Sequence, residues 1–133
     1  MAKIHLNPET LFNSTQYGFS QIVTSDAGKL VFISGQVAWD AQQNIIGQGD
    51  LALQARQTFA NLQTAVETAG GTLEDIVMLR LYVVNLDDEK AAIIGPVLRE
   101  YFGTEHPPAS TWLGVTALAS SSFMLEVEAQ AVL

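Results

Sequence analysis

The sequence predicts a single α+β domain in which two helices cover one face of a β-sheet. The chain contains no linker, repeat or low-complexity tract, which indicates one domain spanning residues 1–133. Segments with the period or composition of strands lie before, between and after two segments with helical spacing. The resulting order (strand, strand, helix, strand, helix, strand, strand) is typical of a sheet with helices on one face. The other face then needs cover, and we expect self-association to provide it.

Two strands are predicted in the first third of the chain. Residues 19–24 alternate in the manner of a strand with period two, and residues 30–36 form a buried strand rich in β-branched side chains. The turn signal Asp26-Ala27-Gly28 lies between them, so the two strands are predicted to pair as a hairpin.

The first helix is predicted to begin after Asp50, a favourable N-cap, and to end at Gly70-Gly71. Apolar residues at steps of four, four, three and four form one face of this helix. These residues are Leu51, Ala55, Phe59, Leu62 and Val66. The second helix is predicted over roughly residues 89–102. An interior proline costs about 3 kcal/mol, so Pro96 either kinks this helix or marks its first turn.

Three further strands complete the pattern. Residues 76–84 form a long apolar strand between the helices, and residues 110–118 and 123–132 follow the break at Pro107-Pro108. The small polar segment 119–122 is predicted to be a hairpin loop.

The composition restricts the possible functions. The net charge of −8 and the absence of a Lys/Arg cluster disfavour nucleic-acid binding. The absence of cysteine excludes disulfides and thiolate chemistry, and His5 and His106 lack the spacing of a metal site. With no leader and no long apolar run, we expect a soluble, cytoplasmic protein without a membrane partner.

Several short segments, in order and at characteristic separations, carry a resemblance to a known family. They are residues 32–36, 54–62, 69–71, 75–77, 100–103, 107–109 and 125–129. Together they resemble the RidA (YjgF) family of reactive-intermediate deaminases. The resemblance implies a chorismate-mutase-like α+β fold with a mixed sheet, and a homotrimer whose sheets form a central barrel with ligand clefts between subunits. It also implies hydrolysis of small imines or enamines without a metal or organic cofactor.

The resemblance assigns a catalytic role to Glu126, as a proton shuttle or a group that positions water. The alternative is that Glu126 is a strand residue that bonds to backbone or pairs across an interface. Ser34 and Gly35 match a strand that lines the ligand cleft, where glycine allows a ligand close to the backbone. They can equally be a buried hydroxyl and a packing glycine. Glu128 is expected on the same sheet face as Glu126.

Four positions depart from the family pattern around that cleft. Ser110 stands where the family carries an arginine that pairs with the substrate carboxylate, in a Pro-Ala-Arg-Ser signature. Trp112, two residues after Ser110 and so expected on the same strand face, replaces a small residue and either shapes the cleft or fills an interface. Phe19 replaces a tyrosine, so the hydroxyl is either supplied by Tyr17 or, more simply, lost, and Gly95 replaces an asparagine.

Three functional hypotheses follow from this reading. The first is a divergent RidA-like hydrolase that acts on an imine, enamine or similar metabolite without carboxylate recognition by arginine. The second is a non-catalytic module that holds an apolar or aromatic metabolite against Trp112. The third is a trimer with a vestigial site.

Overall fold

The computed structural model describes residues 3–133 and contains a two-stranded and a four-stranded sheet with two α-helices. The strands are β1 (Lys3–Leu6), β2 (Ile22–Ser25), β3 (Leu30–Gln36), β4 (Ile76–Val84), β5 (Ala109–Val115) and β6 (Leu125–Val132). The helices are α1 (Leu51–Thr68) and α2 (Asp88–Phe102), and short 3₁₀ turns occur at Thr15–Tyr17 and Leu73–Asp75. Neither α-helix in the part of the chain so described is long and apolar enough to cross a membrane.

The four-stranded sheet is mixed and carries both helices on one face. Its order is β3-β6-β4-β5, with β4 and β5 parallel and the other pairs antiparallel. Alternate residues of β4 and β6 are buried with α1 and α2, so one core lies between the sheet and the helices. The predicted α+β class with two helices on one face is therefore confirmed.

The predicted pairing of the first strands is wrong. β2 pairs antiparallel with β1, and β3 pairs with the C-terminal strand β6. Lys29 and Leu133 exchange backbone hydrogen bonds just before β3 begins, so the pairing with β6 extends to the N-terminal end of the strand. The segment 26–28 therefore connects two sheets and does not close a hairpin.

The segment 119–122 is likewise not a hairpin loop. The strands on either side of it, β5 and β6, do not pair with each other because β4 lies between them. β5 is consequently an edge strand of the four-stranded sheet, with β4 as its neighbour.

The helices begin at acidic N-caps. Asp50 accepts a hydrogen bond from the Leu53 N–H, and Asp87 accepts one from the Lys90 N–H.

α2 starts at Asp88 and continues through Pro96, so the alternative that it begins at Pro96 is wrong. A proline ring disfavours helical backbone in the preceding residue by clashing with its Cβ. Here the preceding residue is Gly95, which has no Cβ.

The sheet face away from the helices carries polar and apolar side chains that no helix covers. Register places Arg80 beside Glu128 and Tyr82 beside Glu126, all on this face between the buried positions of β4 and β6. On β3, Phe32 remains 71% exposed. Leu30, on the same face of β3, is 63% exposed, and adjacent exposed apolar side chains of this kind mark an interaction surface.

Candidate functional site

A cavity of about 580 Å³ lies between α2, β5 and the segment that follows the first 3₁₀ turn. Nine residues line it: Tyr17, Phe19, Ala91, Ala92, Gly95, Pro96, Arg99, Ser110 and Trp112. Most of these side chains are apolar or aromatic, with a few polar groups among them, which is typical of a small-molecule site.

β5 supplies two of the residues that were expected at the ligand cleft. Ser110 and Trp112 are in register with Leu79 and Leu81 of β4, whose side chains are buried under the helices. Ser110 and Trp112 therefore face α2, and the expectation that they share one sheet face is confirmed. The Trp112 indole also packs against the core, so its position is held by that packing.

The Ser110 hydroxyl is buried without a hydrogen-bond partner in the described chain. A buried polar group that is left unpaired costs about 1–3 kcal/mol relative to a satisfied one. Such groups are uncommon in native proteins and call for a specific explanation. Because this hydroxyl belongs to a residue that lines the cavity, a polar atom of a bound ligand is the natural partner for it.

The aromatic wall of the cavity comes from the N-terminal segment. The backbone of Ser20 bonds to Pro108 and forms a bridge with Ala109, which fixes this segment beside the start of β5. Both Phe19 and Tyr17 line the cavity. A phenol is therefore present at this site, although it comes from Tyr17.

Sequence reasoning missed four cavity residues on α2, of which Arg99 is the charged one and Ala91, Ala92 and Pro96 are the others. Arg99 lies four residues after Gly95 on α2, so the two positions share a helix face. A Cβ built on Gly95 would stand 3.3 Å from Arg99 Nη1, which places the guanidinium directly over the glycine. The spacing of Gly95 and Arg99 was the available signal.

Glu126 and Gly35 lie on the opposite face of the sheet from the cavity. Glu126 alternates with buried Leu125 and Val127, so its side chain points away from the helices. The Glu126 carboxylate packs over Gly35, and a Cβ built on this glycine would lie 2.6 Å from Glu126 Cδ. Ser34 is exposed beside it on β3. The expected site residues therefore form two groups within one chain.

The face that carries Glu126 also holds Glu128, whose carboxylate is hydrogen-bonded. The Tyr82 hydroxyl donates to Glu128 Oε1 at 2.6 Å, and Arg80 Nη1 lies 3.8 Å from the same oxygen. The hydrogen bond to Glu128 raises the pKa of Tyr82 above its usual value, and burial and the negative charge of Glu128 act in the same direction. Glu126 and Glu128 share one face, as expected.

A second cavity, of about 720 Å³, lies between β1 and the loop after α2. His5 Nδ1 is 3.1 Å from the Pro107 carbonyl oxygen and from Ser20 Oγ, and its ring centroid is 5.1 Å from that of His106. Burial lowers the pKa of His5, against the opposing effect of the Pro107 carbonyl and with a smaller lowering from His106. None of the expected site residues lines this cavity.

Comparison with known proteins identifies the family. A family model described as Endoribonuclease L-PSP matches residues 13–133. The chain belongs to this family, which includes the RidA and YjgF proteins. The family expected from the sequence is thus confirmed.

Several known proteins are similar to this chain over most of its length. A protein from Dermatophagoides farinae named 2-iminobutanoate/2-iminopropanoate deaminase is 30% identical over 115 residues, which cover 86% of this chain and 85% of the relative. A Yersinia pestis protein of unknown function from the Rid family, YyfB, is 38% identical with a TM-score of 0.95, covering 100% of both chains. RidA from an Antarctic Psychrobacter is 28% identical with a TM-score of 0.70, covering 86% of this chain and 87% of the other.

Proposed function

We propose that this protein is a divergent RidA-type hydrolase that acts on a small imine, enamine or similar reactive metabolite bound in the 580 Å³ cavity. The observation that carries the proposal is the buried, unpartnered hydroxyl of Ser110 in a cavity walled by Trp112 and α2. The 2-iminobutanoate/2-iminopropanoate deaminase named above supports the choice of substrate class.

The proposal includes a homotrimer in which two chains complete one site. Glu126 and Gly35 lie on the open sheet face, and Ser110 and Trp112 lie on the helix side of the same sheet. A ligand in the cavity can meet Glu126 only if that residue comes from a neighbouring copy. The exposed Phe32 on the open face supports an association of this kind.

The proposed reaction needs water and one proton-transfer group. The Glu126 carboxylate takes a proton from water as the oxygen adds to the imine carbon, and that proton is delivered to the nitrogen. The resulting carbinolamine loses ammonia and leaves a carbonyl compound. The Ser34-Gly35 backbone of the same neighbouring copy orients the ligand, and the missing Cβ of Gly35 leaves room for the Glu126 carboxylate beside it. No cofactor takes part in these steps.

A second candidate is a non-catalytic binding module that uses the same cavity. It is favoured by the absence of any carboxylate among the described residues that line the cavity. In this case the Trp112 indole provides an apolar platform for a metabolite. A trimer with a vestigial site would bind nothing there.

We do not propose nuclease activity, although the family description contains the word endoribonuclease. The net charge of −8 repels a phosphate backbone. Within residues 3–133, Lys3, Arg56, Arg80 and Lys90 form ion pairs with carboxylates, which leaves few cations for phosphate.

The decisive test follows the decay of 2-iminobutanoate, generated in situ, with and without the protein. We expect the wild type to accelerate the decay and Glu126→Gln to abolish the acceleration. Glu67→Gln, which alters an exposed carboxylate on α1, is the matched control and should retain full activity. Equal turnover by Glu126→Gln would exclude the role given to Glu126. No acceleration by the wild type, with saturable quenching of Trp112 fluorescence by 2-oxobutanoate, would favour the binding module.

Light scattering tests the trimer independently. A mass about three times that of the 14.4 kDa chain is expected. A mass near that of one chain would contradict the shared site.

A further inference from the structure

We infer that Arg99 binds the carboxylate of the ligand in the 580 Å³ cavity, so that α2 supplies the cation that the sequence lacks at position 110. The inference rests on the proposed function only in taking this cavity as the ligand site. It replaces the expectation that recognition proceeds without arginine.

Two glycines make room for the Arg99 side chain. A Cβ on Gly95 would stand 3.3 Å from Arg99 Nη1, and a Cβ on Gly18 would stand 3.1 Å from Arg99 Cγ. These separations are tighter than ordinary van der Waals contact, so a larger residue at either position would push the arginine away. A glycine inside a helix costs about 0.5–1 kcal/mol relative to alanine, and the packing of Arg99 over Gly95 explains why one occurs here.

Within residues 3–133, the Arg99 guanidinium has no ionic partner. Four of the six Lys and Arg residues form ion pairs within residues 3–133, and Lys29 donates to the Ala69 carbonyl. Arg99 forms no ion pair or side-chain hydrogen bond in the described chain, yet its side chain is only partly exposed. A guanidinium presents five donors in a planar fork that matches a carboxylate. In the described chain, an arginine without an acceptor and a buried hydroxyl without a partner therefore line the same cavity.

The other lining residues select the ligand class. Around Arg99 and Ser110 the walls are formed by Ala91, Ala92, Pro96 and the rings of Phe19 and Trp112. One cation balances one negative charge, and the apolar walls give no second charge for a dianion. The ligand chemistry is therefore a small monocarboxylate whose apolar part faces Trp112.

The experiment compares 2-oxobutanoate with 2-oxobutanamide, which has nearly the same shape without the charge. Binding is followed by the indole N–H resonance of Trp112 in NMR titrations, with Trp39 as the internal reference because it lies outside the cavity. We expect the wild type to prefer the carboxylate by about tenfold or more, the range of a charged hydrogen-bonded pair. Arg99→Met should remove the preference, and Arg99→Lys should keep part of it.

Two further variants separate a local effect from a general one. Arg56→Met removes an exposed arginine that pairs with Glu100, and it should leave the preference unchanged. Arg99→Met combined with Ser110→Arg should restore the preference, because it returns a guanidinium to the cavity from β5.

Each outcome either supports the inference or overturns it. Unchanged preference in Arg99→Met, no binding of 2-oxobutanoate by the wild type, or equally tight binding of inorganic phosphate would overturn it. Loss of the preference in Arg99→Met and its return in the double variant would establish it. This result stands whether or not the wild type hydrolyses 2-iminobutanoate, so failure of the proposed hydrolysis is distinguishable from failure of the Arg99 assignment.

Discussion

The Glu126 carboxylate lies against the backbone of Gly35, in the space that a Cβ at position 35 would occupy. The two residues lie on neighbouring strands, β6 and β3, at the irregularity where the register shifts between Ile33 and Gln36. The glycine thus fixes where the glutamate side chain can rest. A residue proposed to move protons must hold a defined position, so the proposed role of Glu126 depends on the absence of a side chain at Gly35.

Gly35→Ala is therefore expected to displace Glu126. The cost in stability should be about 1 kcal/mol, at the low end for overpacking, because the side chain can rotate away. Turnover of 2-iminobutanoate should fall much more than stability. The measurement is urea denaturation together with the decay assay.

A double-mutant cycle provides the control for this effect. In a Glu126→Ala background, Gly35→Ala should cost almost nothing, because the obstructing carboxylate is gone. An equal cost in both backgrounds would show that the contact with Glu126 is not the cause.

Gln54→Leu should destabilise the fold by about 3 kcal/mol. Gln54 is fully buried; its Nε2 donates to the carbonyls of Gly47 and Ser122, and its Oε1 accepts from the Met124 N–H. Leucine would leave these backbone groups unpaired. Gln57→Leu on the same helix loses a single bond to Asn61 and should cost less than about 1 kcal/mol. Comparable losses in urea denaturation for the two variants would contradict this account.

Titration of Tyr82 should depend mainly on Glu128. Since the folded pKa of Tyr82 is raised above 10.0, its hydrogen bond contributes stability that is present below pH 10 and is lost as the pH rises through the folded pKa. Glu128→Gln should move the Tyr82 transition in a near-ultraviolet absorbance titration toward the ordinary value. Glu126→Gln should move it less, and Tyr82→Phe identifies the transition among the three tyrosines.

Protonation of His5 should weaken the attachment of β1. Its folded pKa is lowered below 6.5 chiefly by burial, so below that pH the unfolded chain binds more protons than the folded one. Stability should therefore be constant above pH 6.5 and decline as the pH falls toward the folded pKa. Urea denaturation measured across this range should show the decline in wild type and a smaller one in His5→Asn. A decline of equal size in the variant would assign it to other groups.

The local elements were predictable because their signals lie in short stretches of sequence. The apolar face of α1 was read from spacing alone, and Leu51, Ala55, Phe59, Leu62 and Val66 are all buried. The common face of Ser110 and Trp112 followed from the alternation of side chains along a strand. In each case the repeat of the helix or the strand decides which side chains point inward.

Pairing and long-range placement were not predictable in the same way. The partner of β2 is β1, a strand of only four residues, and the partner of β3 lies about a hundred residues away. Helical spacing places Arg99 on the same face as Gly95, but no local signal shows that this face and β5 line one cavity. The separation of Glu126 from Ser110 likewise depends on which face of the sheet the helices cover.

The edge position of β5 has a consequence for how this protein can change. Ser110 and Trp112 lie on a strand that pairs within the sheet on one side, while the central strands β4 and β6 carry most of the buried side chains. Substitutions that reshape the cavity wall therefore leave the most buried part of the sheet intact. Ligand preference can change at the edge of the sheet while the side chains that stabilise the fold remain in its central strands. This edge strand is therefore the natural place to redesign specificity.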